Sequence, residues 1–347
     1  MYTMENSIND ILRDELVMRH YELLLSKMYL YVVPEEFRDM PFKDLPFNVS
    51  MPWGKPYISK EALEAANNVL ELQNRDKYEF VKLWAEETPE NYYPDPDGTR
   101  DSVSLLLFKE SFVQGRKLAL VCPGGGYANV CISHEGMHTA KVLEEKGYAV
   151  ATLNYRCASN KYPIPQEDLA LCIKYLRAYA IEKGVEDDLL LVGYSAGGHL
   201  IASESCYADE YDAGVMEKMC AEFPKRAQLI KNMPAKADKL CVAYGVTNFE
   251  EPRLEECYRN LAGNNDSIKD KMSVVHNVDS SYPKTFAWAC QDDELVPCCH
   301  ASKLCEALKE NGVEAMCKLY PSGGHGIATG EGTSAWGWVD EMVEFMG

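Results

Sequence analysis

Positive charge is scarce in this 347-residue sequence, which has 35 lysine and arginine residues against 54 acidic ones and a net charge of −19. The basic residues form no cluster along the chain. Phosphate binding needs a concentrated basic face, so the composition argues against a nucleic-acid partner and against polyanionic substrates. Neutral substrates remain compatible with this charge.

Long apolar runs and an N-terminal targeting pattern are also missing. No run approaches the roughly 18 apolar residues that a membrane-spanning helix needs. A secretory signal requires a basic start followed by an apolar stretch. The N-terminus instead carries interspersed charges at Glu5, Asp10, Arg13, Asp14 and Glu15. We therefore expect a cytoplasmic protein with no membrane partner.

The thirteen cysteines contain no C-x-x-C pair, so the sequence lacks the spacing of a structural zinc site. Most of them lie inside apolar runs, such as LALVC at 118–122 and TFAWAC at 285–290. We interpret them as small buried thiols in a reducing compartment. The sequence thus predicts no metal site and no cofactor.

From residue 102 onward, short apolar runs alternate with amphipathic stretches. This alternation predicts an α/β domain over 101–347, with a mostly parallel central sheet flanked by helices on both faces. The predicted strands are SVSLLLF (102–108), KLALVC (117–122), YAVATLNY (148–155), DLLLVG (188–193), KLCVAYG (239–245), KTFAWAC (284–290) and EAMCKLY (314–320). The predicted helices lie near 135–146, 166–183, 196–208, 298–311 and 334–346.

Residues 1–100 have a different character, with helical patterns at 7–31, 59–73 and 76–87. We interpret this segment as a helical N-terminal extension. A lid over the active site, a dimerisation arm and additional core packing are all compatible with the pattern. The sequence does not distinguish among these three roles.

A G-x-S-x-G pattern, Gly193-Tyr194-Ser195-Ala196-Gly197, stands between a predicted strand and a predicted helix. A serine on such a tight turn adopts a strained backbone that pushes its hydroxyl outward, and the glycines let the neighbouring chain pass close. The helix N-terminus that follows directs amide N–H groups at a developing oxyanion. Ser195 is therefore the predicted nucleophile, the alternative being a glycine-rich turn with an exposed serine.

A serine hydroxyl needs a base and, behind the base, an acid. His325 lies between glycines just after the last predicted strand, so its loop can carry the imidazole over the same sheet edge. Asp292, Asp293 and Glu294 follow the preceding strand, and all three qualify as the acid by chemistry. The order serine, acid, histidine is expected when a parallel sheet supplies them in succession. His199 is a rival by proximity only, and we expect it to pack or hydrogen-bond locally.

The segment CPGGGY (122–127) directly follows another predicted strand. Consecutive glycines let the backbone approach a ligand and direct N–H groups at one point. A phosphate-binding loop is the competing interpretation, but no G-K-[ST] follows and G-x-G-x-x-G is not matched. We predict an oxyanion hole formed by the amides of Gly125, Gly126 and Ala196. Two tyrosines in these motifs are predicted to contact the substrate: Tyr127 and Tyr194.

These motifs together resemble the α/β-hydrolase superfamily, and within it the bacterial esterase/lipase branch that includes acetyl-xylan-esterase-like enzymes of the BD-FAE type. The similarity covers about 105–346. It extends to connecting segments in the same order, namely SHEG (133–136), NYR (154–156), YPIPQEDLALCIKYLR (162–177) and SVVHNVDSSYPKTFAWACQDDELVP (273–297).

The resemblance implies an α/β-hydrolase fold and assigns the acid. In the D-x-x-V-P pattern of the family, the acid lies three residues before the valine, which is Asp293 here. Many relatives have histidine where this chain has Pro123, a change that keeps the amide donors. Arg156 and Asp168, in the connecting segments, are predicted to pair and brace the sheet.

The sequence therefore predicts a serine carboxylesterase that hydrolyses short-chain acyl esters through Ser195, His325 and Asp293. The resemblance favours acetyl esters of carbohydrates, so the expected partner is a small-molecule or oligosaccharide ester. Two alternatives stay open: a serine peptidase of the acylaminoacyl or dipeptidyl type, and a non-catalytic binding module with this fold. Homo-oligomer formation through the N-terminal extension also stays open.

Overall fold

The computed structural model of the chain describes residues 1–45, 59–96, 98–157 and 159–347. Its centre is a sheet of eight strands: β1 (Tyr78–Lys82), β2 (Ser104–Phe108), β3 (Lys117–Cys122), β4 (Tyr148–Asn154), β5 (Leu189–Tyr194), β6 (Lys239–Ala243), β7 (Lys284–Cys290) and β8 (Ala315–Tyr320). The strand order is β1-β2-β4-β3-β5-β6-β7-β8. β2 runs antiparallel to β1 and β4, and all other neighbours are parallel.

Helices cover the sheet and build the N-terminal segment. The α-helices within the described residues are α1 (Ile8–Leu12), α2 (Glu15–Leu24), α3 (Met28–Tyr31), α4 (Ser59–Glu71), α5 (His138–Glu145), α6 (Ile164–Glu182), α7 (Ser195–Cys206), α8 (Ala208–Glu222), α9 (Pro224–Ile230), α10 (Glu255–Ala262), α11 (Cys299–Glu310) and α12 (Trp338–Met346). A π-helix, Ile132–Met137, leads directly into α5. In the described part of the chain, no helix is both long enough and apolar enough to cross a membrane.

The predicted α/β architecture is confirmed. All seven predicted strands are present as β2–β8, and α5, α6, α7, α11 and α12 occupy the predicted helical stretches. Every residue of β2, β4 and β5 is buried, as expected for strands with both faces covered. The carboxyl ends of the parallel strands therefore meet at one edge of the sheet.

The prediction of a helix over 76–87 is wrong, because β1 occupies this stretch. Residues 78–82 pair antiparallel with β2, with Tyr78 opposite Phe108. Short apolar runs fit helix and strand periods about equally well, and the open edge of β2 decides between them by offering backbone partners. The division of the chain at residue 100 stays a prediction, since β1 shares the sheet with the strands that follow it.

The predicted pair of Arg156 and Asp168 is confirmed as a buried ion pair. Nη2 of Arg156 lies 2.6 Å from Oδ1 of Asp168, and its Nε lies 2.9 Å from Oδ2. The Asp168 side chain is fully buried, and its Oδ1 also accepts a hydrogen bond from the indole N–H of Trp84 at 2.7 Å. One carboxylate thus joins the end of β4, helix α6 and the chain just after β1.

Candidate active site

Ser195 lies at the turn between β5 and α7, in the left-handed region with φ of 49°. The two glycines of its motif are required by close backbone approach. A Cβ on Gly193 would lie 2.5 Å from the carbonyl oxygen of Gly197, and one on Gly197 would overlap the carbonyl oxygen of Cys122. Larger residues at either position would displace the serine turn.

The structure brings the predicted triad residues together at the carboxyl edge of the sheet. Nε2 of His325 lies 2.9 Å from Oγ of Ser195, and Nδ1 of His325 lies 2.7 Å from Oδ2 of Asp293. Oδ1 of Asp293 accepts the backbone N–H groups of Leu295 and Val296, both at 2.9 Å. The Asp293 side chain is fully buried, so its carboxylate is oriented by hydrogen bonds on both oxygens.

The neighbouring acids have other positions. Asp292 is exposed and accepts hydrogen bonds from the N–H groups of Gly324 at 2.9 Å and Gly323 at 3.0 Å. These bonds, with that from Gly324 the stronger, lower the pKa of the Asp292 carboxyl below its ordinary value. Glu294 is exposed as well. Asp292 thus holds the glycine loop before His325, while Asp293 reaches the imidazole.

The predicted oxyanion loop follows β3, and its amides fall into two groups. The N–H of Gly124 donates to Oε2 of Glu135 at 2.6 Å. Within the described part of the chain, the N–H groups of Gly125, Gly126 and Ala196 donate to no protein acceptor. These three amides can therefore donate to an added oxygen atom, and the N–H of Tyr127 in the same loop likewise has no acceptor among the described residues.

Backbone turns shape this loop. Gly125 and Gly126 have φ of 137° and 61°, values that L side chains rarely adopt. The carbonyl of Gly125 accepts from the backbone of Ala128 at 2.9 Å, and the carbonyl of Gly126 accepts from Nδ2 of Asn260 at 3.0 Å. Asn260 belongs to α10, so the segment between β6 and β7 supports the loop.

The prediction that Tyr127 and Tyr194 contact the substrate is corrected by their burial. Both side chains have no exposed surface. The hydroxyl of Tyr127 lies 2.7 Å from Nδ1 of His199, and that of Tyr194 lies 2.6 Å from Oγ1 of Thr139. Both rings pack into the core beneath the loops. Tyr194 directly precedes Ser195 and Tyr127 directly follows Gly126, and adjacent residues in a tight turn direct their side chains to different sides.

His199 packs in the core and hydrogen-bonds there, as expected, although both of its partners are distant in the sequence. Its Nε2 donates to the carbonyl of Met272 at 2.8 Å, so in the neutral ring Nδ1 accepts from the Tyr127 hydroxyl. Burial lowers the pKa of His199 to about 4. The ring is therefore neutral near pH 7, and both of its nitrogens are hydrogen-bonded to groups other than Ser195.

Sequence reasoning missed two residues that support the site, Glu135 and Tyr244. Oε1 of Glu135 accepts from the hydroxyl of Tyr244 at 2.9 Å, and this hydroxyl accepts from the N–H of Ala328 at 3.0 Å. The Tyr244 ring packs edge-on against His325, with 4.8 Å between centroids. Burial, followed by the Glu135 charge, raises the pKa of Tyr244 well above its ordinary value. The available signal was the glutamate of SHEG, an acidic residue between apolar helical positions.

Residues 109–308 of the chain, more than half of its length, match the BD-FAE family. The chain belongs to the BD-FAE family. Among curated proteins, this BD-FAE chain is similar to the acetylxylan esterase of Xylanibacter ruminicola, with 24% identity over 232 residues. The match covers 65% of this chain but only 44% of that protein, so the chain spans less than half of its length.

Solved structures share the fold. An acetyl ester-xyloside bifunctional hydrolase from Caldicellulosiruptor lactoaceticus has a TM-score of 0.63 at 23% identity, covering 78% of the BD-FAE chain and 97% of that chain. A carboxylesterase from Lactobacillus plantarum has a TM-score of 0.55 at 19% identity, covering 70% and 91% respectively. The predicted α/β-hydrolase fold and esterase branch are confirmed. The names of these relatives agree with the predicted enzyme class, a hydrolase of ester bonds.

Proposed function

We propose that the chain is a serine carboxylesterase that hydrolyses short-chain acyl esters, in particular acetyl esters of carbohydrates, through an acyl-enzyme. The observation that carries the proposal is the series of hydrogen bonds from Ser195 to His325 at 2.9 Å and from His325 to Asp293 at 2.7 Å. The acetyl and carbohydrate parts are supported by the names of the relatives from Xylanibacter ruminicola and Caldicellulosiruptor lactoaceticus.

In acylation, Oγ of Ser195 attacks the ester carbonyl carbon while Nε2 of His325 takes its proton. Asp293 holds the imidazole in the tautomer with Nδ1 protonated and stabilises the imidazolium that forms. The tetrahedral intermediate then collapses, the bond to the alcohol oxygen breaks, and His325 returns the proton to the leaving alcohol. The acyl group remains on Ser195.

In deacylation, water takes the place of the alcohol. His325 accepts a proton from the water as its oxygen attacks the acyl carbon, and then returns a proton to Oγ of Ser195. The products are the free carboxylic acid and the unmodified serine. These steps use only side chains and backbone amides of the chain.

The developing oxyanion is bound by the N–H groups of Gly125, Gly126 and Ala196. Each such donor is worth about 10²- to 10³-fold in kcat in serine hydrolases. Gly124 is not assigned to the oxyanion hole, because its N–H is already used by Glu135. Ala196 also stands at the first turn of α7, where the helix dipole favours negative charge.

The setting and partners are part of the same proposal. All thirteen cysteines are free thiols, which supports a cytoplasmic location. The net charge of −19 supports a neutral ester substrate and disfavours nucleic acid and anionic membrane surfaces as partners.

The test is a substrate panel with the purified chain and its Ser195→Ala variant. We expect turnover of p-nitrophenyl acetate that falls as the acyl chain lengthens beyond about four carbons, and acetate release from acetylated xylo-oligosaccharides. Ser195→Ala should fold and lose at least about 10⁴-fold of this activity. Cleavage of peptide nitroanilides in preference to esters would replace the esterase by the peptidase alternative. No turnover of either class would favour the binding module.

A further inference from the structure

Three side chains with metal-ligating chemistry meet outside the triad. Glu64 lies on α4, His134 in the π-helix, and His138 at the start of α5. Each offers one ligand atom, and the three atoms lie within 4.8 Å of one another. The histidines are four positions apart on a continuous helical stretch, so they share one face, and Glu64 comes from the helix that packs against it.

Contacts on either side of the cluster hold the two helical segments together. Nδ2 of Asn68 donates to Oγ of Ser133 at 2.6 Å, and Nζ of Lys141 forms an ion pair with Glu71 at 2.8 Å. Asn68 and Ser133 are buried. Because these contacts fix the register of α4 against the histidine segment, Glu64 is positioned opposite the histidine pair before any ligand arrives.

The second nitrogen of His134 has the partner that metal-binding histidines usually have. Its Nε2 lies 2.9 Å from the carbonyl oxygen of Gly326. A carbonyl only accepts, so Nε2 carries the proton and Nδ1 of the neutral ring carries the lone pair. The buried carboxylate of Glu61 lies 3.7 Å from the same nitrogen. A carbonyl or carboxylate behind the imidazole orients the ring and makes it more basic toward a metal.

The competing charges around the cluster are weak. Nζ of Lys60 lies 3.7 Å from the carboxylate of Glu64, but the lysine side chain is 61% exposed. An exposed ion pair contributes little free energy, so a metal ion can displace this lysine at little cost. Within the described residues, no hydrogen bond involves the ring of His138. Lys141, on α5, forms an ion pair with Glu71.

We propose that Glu64, His134 and His138 bind one divalent transition-metal ion, with Zn²⁺ as the ion that this set of two imidazoles and one carboxylate suits best. Water completes the four-coordinate shell. The ion joins α4 of the N-terminal segment to α5. Through the bond from His134 to Gly326, it also steadies the residue next to His325. It takes no part in the ester chemistry, which uses Ser195, so this site is independent of the proposed function.

Sequence spacing could not reveal the site. Glu64 precedes His134 by 70 positions in the chain, and only the packing of α4 on the π-helix brings them together. The histidine pair by itself, at i and i+4, occurs on many helices without a metal. The site also contains no cysteine, so the C-x-x-C spacing that marks many structural zinc sites does not apply to it.

The experiment titrates the tag-free, chelator-treated chain with Co²⁺ and then with Zn²⁺ as competitor. We expect one ion per chain. The absorption spectrum of the Co²⁺ form should lack the intense ultraviolet charge-transfer band that thiolate ligands produce. This readout matters because the chain has thirteen cysteines. Zn²⁺ should also raise the midpoint of thermal unfolding.

Two variants on different elements test the ligands, His138→Ala and Glu64→Gln. Each should weaken binding by at least about tenfold and abolish the Zn²⁺-dependent rise in the unfolding midpoint. The matched control is His276→Ala, which removes an exposed histidine that also has carboxylates nearby, Asp270 at 2.9 Å and Glu250 at 3.8 Å. The control should bind like the wild type.

Three results would overturn the proposal. They are no binding tighter than that of the buffer blank, a thiolate band in the Co²⁺ spectrum, and unchanged affinity in either ligand variant. A failure of His138→Ala to fold would leave the decision with Glu64→Gln, whose carboxamide keeps the volume of the side chain on a half-buried helix face.

Discussion

Oε2 of Glu135 accepts a hydrogen bond from the backbone N–H of Gly124 at 2.6 Å. The approach is close enough that a Cβ on Gly124 would lie 3.0 Å from the same oxygen. The other oxygen of Glu135 accepts from Tyr244, whose ring packs on His325. One buried carboxylate therefore connects the oxyanion loop with the surroundings of the histidine. We regard Glu135 as a positioning residue for both.

Replacing Glu135 with glutamine tests this connection. Glutamine keeps the volume but offers one acceptor and one donor, so it cannot accept from both Gly124 and Tyr244. We expect kcat for p-nitrophenyl acetate to fall on the order of tenfold or more while KM changes little, because the oxyanion donors act mainly in the transition state. Steady-state kinetics of the folded variant give both constants.

A second buried glutamate is the matched control. Glu204 on α7 has no exposed surface, and within the described residues neither carboxyl oxygen has a hydrogen-bond partner. Burial raises the pKa of Glu204 well above its ordinary value, which favours the uncharged carboxyl, and glutamine resembles that form closely. Glu204→Gln should leave kcat unchanged. Equal kinetic effects of the two substitutions would mean that Glu135 acts only through core packing.

The two adjacent aspartates should differ sharply in function. Asp293→Asn removes the charge that stabilises the imidazolium and presents the wrong hydrogen-bond partner to Nδ1, so kcat should fall by about 10⁴-fold. Asp292→Asn still accepts from Gly323 and Gly324 through its amide oxygen, so its loss should be on the order of tenfold or less. Parallel kinetics on both variants decide the matter, and the reverse order would move the acid to Asp292.

The parts of the fold that sequence could predict are those whose signal is local. Strands β4 and β5 are buried along their whole length and therefore read as continuous apolar runs. β1 was misread because an edge strand of five residues has too few positions to define a period. Helix α8 was missed although its signal is present, since its buried residues Ala208, Tyr211, Val215 and Met219 recur every three to four positions.

The same distinction holds at the candidate site. Ser195, His325 and the acidic residues 292–294 each follow a strand within a recognisable motif, so their order suggested that they meet. The choice of Asp293 among the three acids came from the family resemblance. The contact of Glu135 with Gly124 and Tyr244 joins three separate segments, and no spacing encodes it. The burial of the tyrosines was equally hidden, because adjacency to the serine does not indicate which way a ring points.

Buried histidines should make the protein less stable in mild acid. Burial lowers the pKa of both His199 and His300 from 6.5 to about 4. Between these values the unfolded chain binds protons that the folded chain does not, so the free energy of unfolding falls as pH decreases from 6.5 toward 4. Each histidine should contribute a loss on the order of 1–2 kcal/mol between pH 6.5 and 5.

Urea unfolding at several pH values measures this slope. His300→Gln removes one of the two groups and should reduce the slope, whatever its effect on stability at pH 7. Leu304→Ala, a cavity-forming change at a buried position on the same helix, should lower stability at every pH and leave the slope intact. An unchanged slope in His300→Gln would contradict a neutral buried imidazole at this position.

Breaking the ion pair of Arg156 and Asp168 should cost more stability than breaking a surface pair. Asp168→Asn leaves a guanidinium that is always charged in a nearly dry environment, and it weakens the bond from Trp84 as well. We expect a loss of about 3–5 kcal/mol in the free energy of unfolding, measured with urea. Asp39→Asn, in the exposed pair with Arg13, should change the free energy of unfolding little.

Because the cost arises from the unpaired charge, Arg156→Met combined with Asp168→Asn should be more stable than Asp168→Asn alone. A double variant less stable than the single one would mean that Arg156 stabilises the fold by packing and not through its partner.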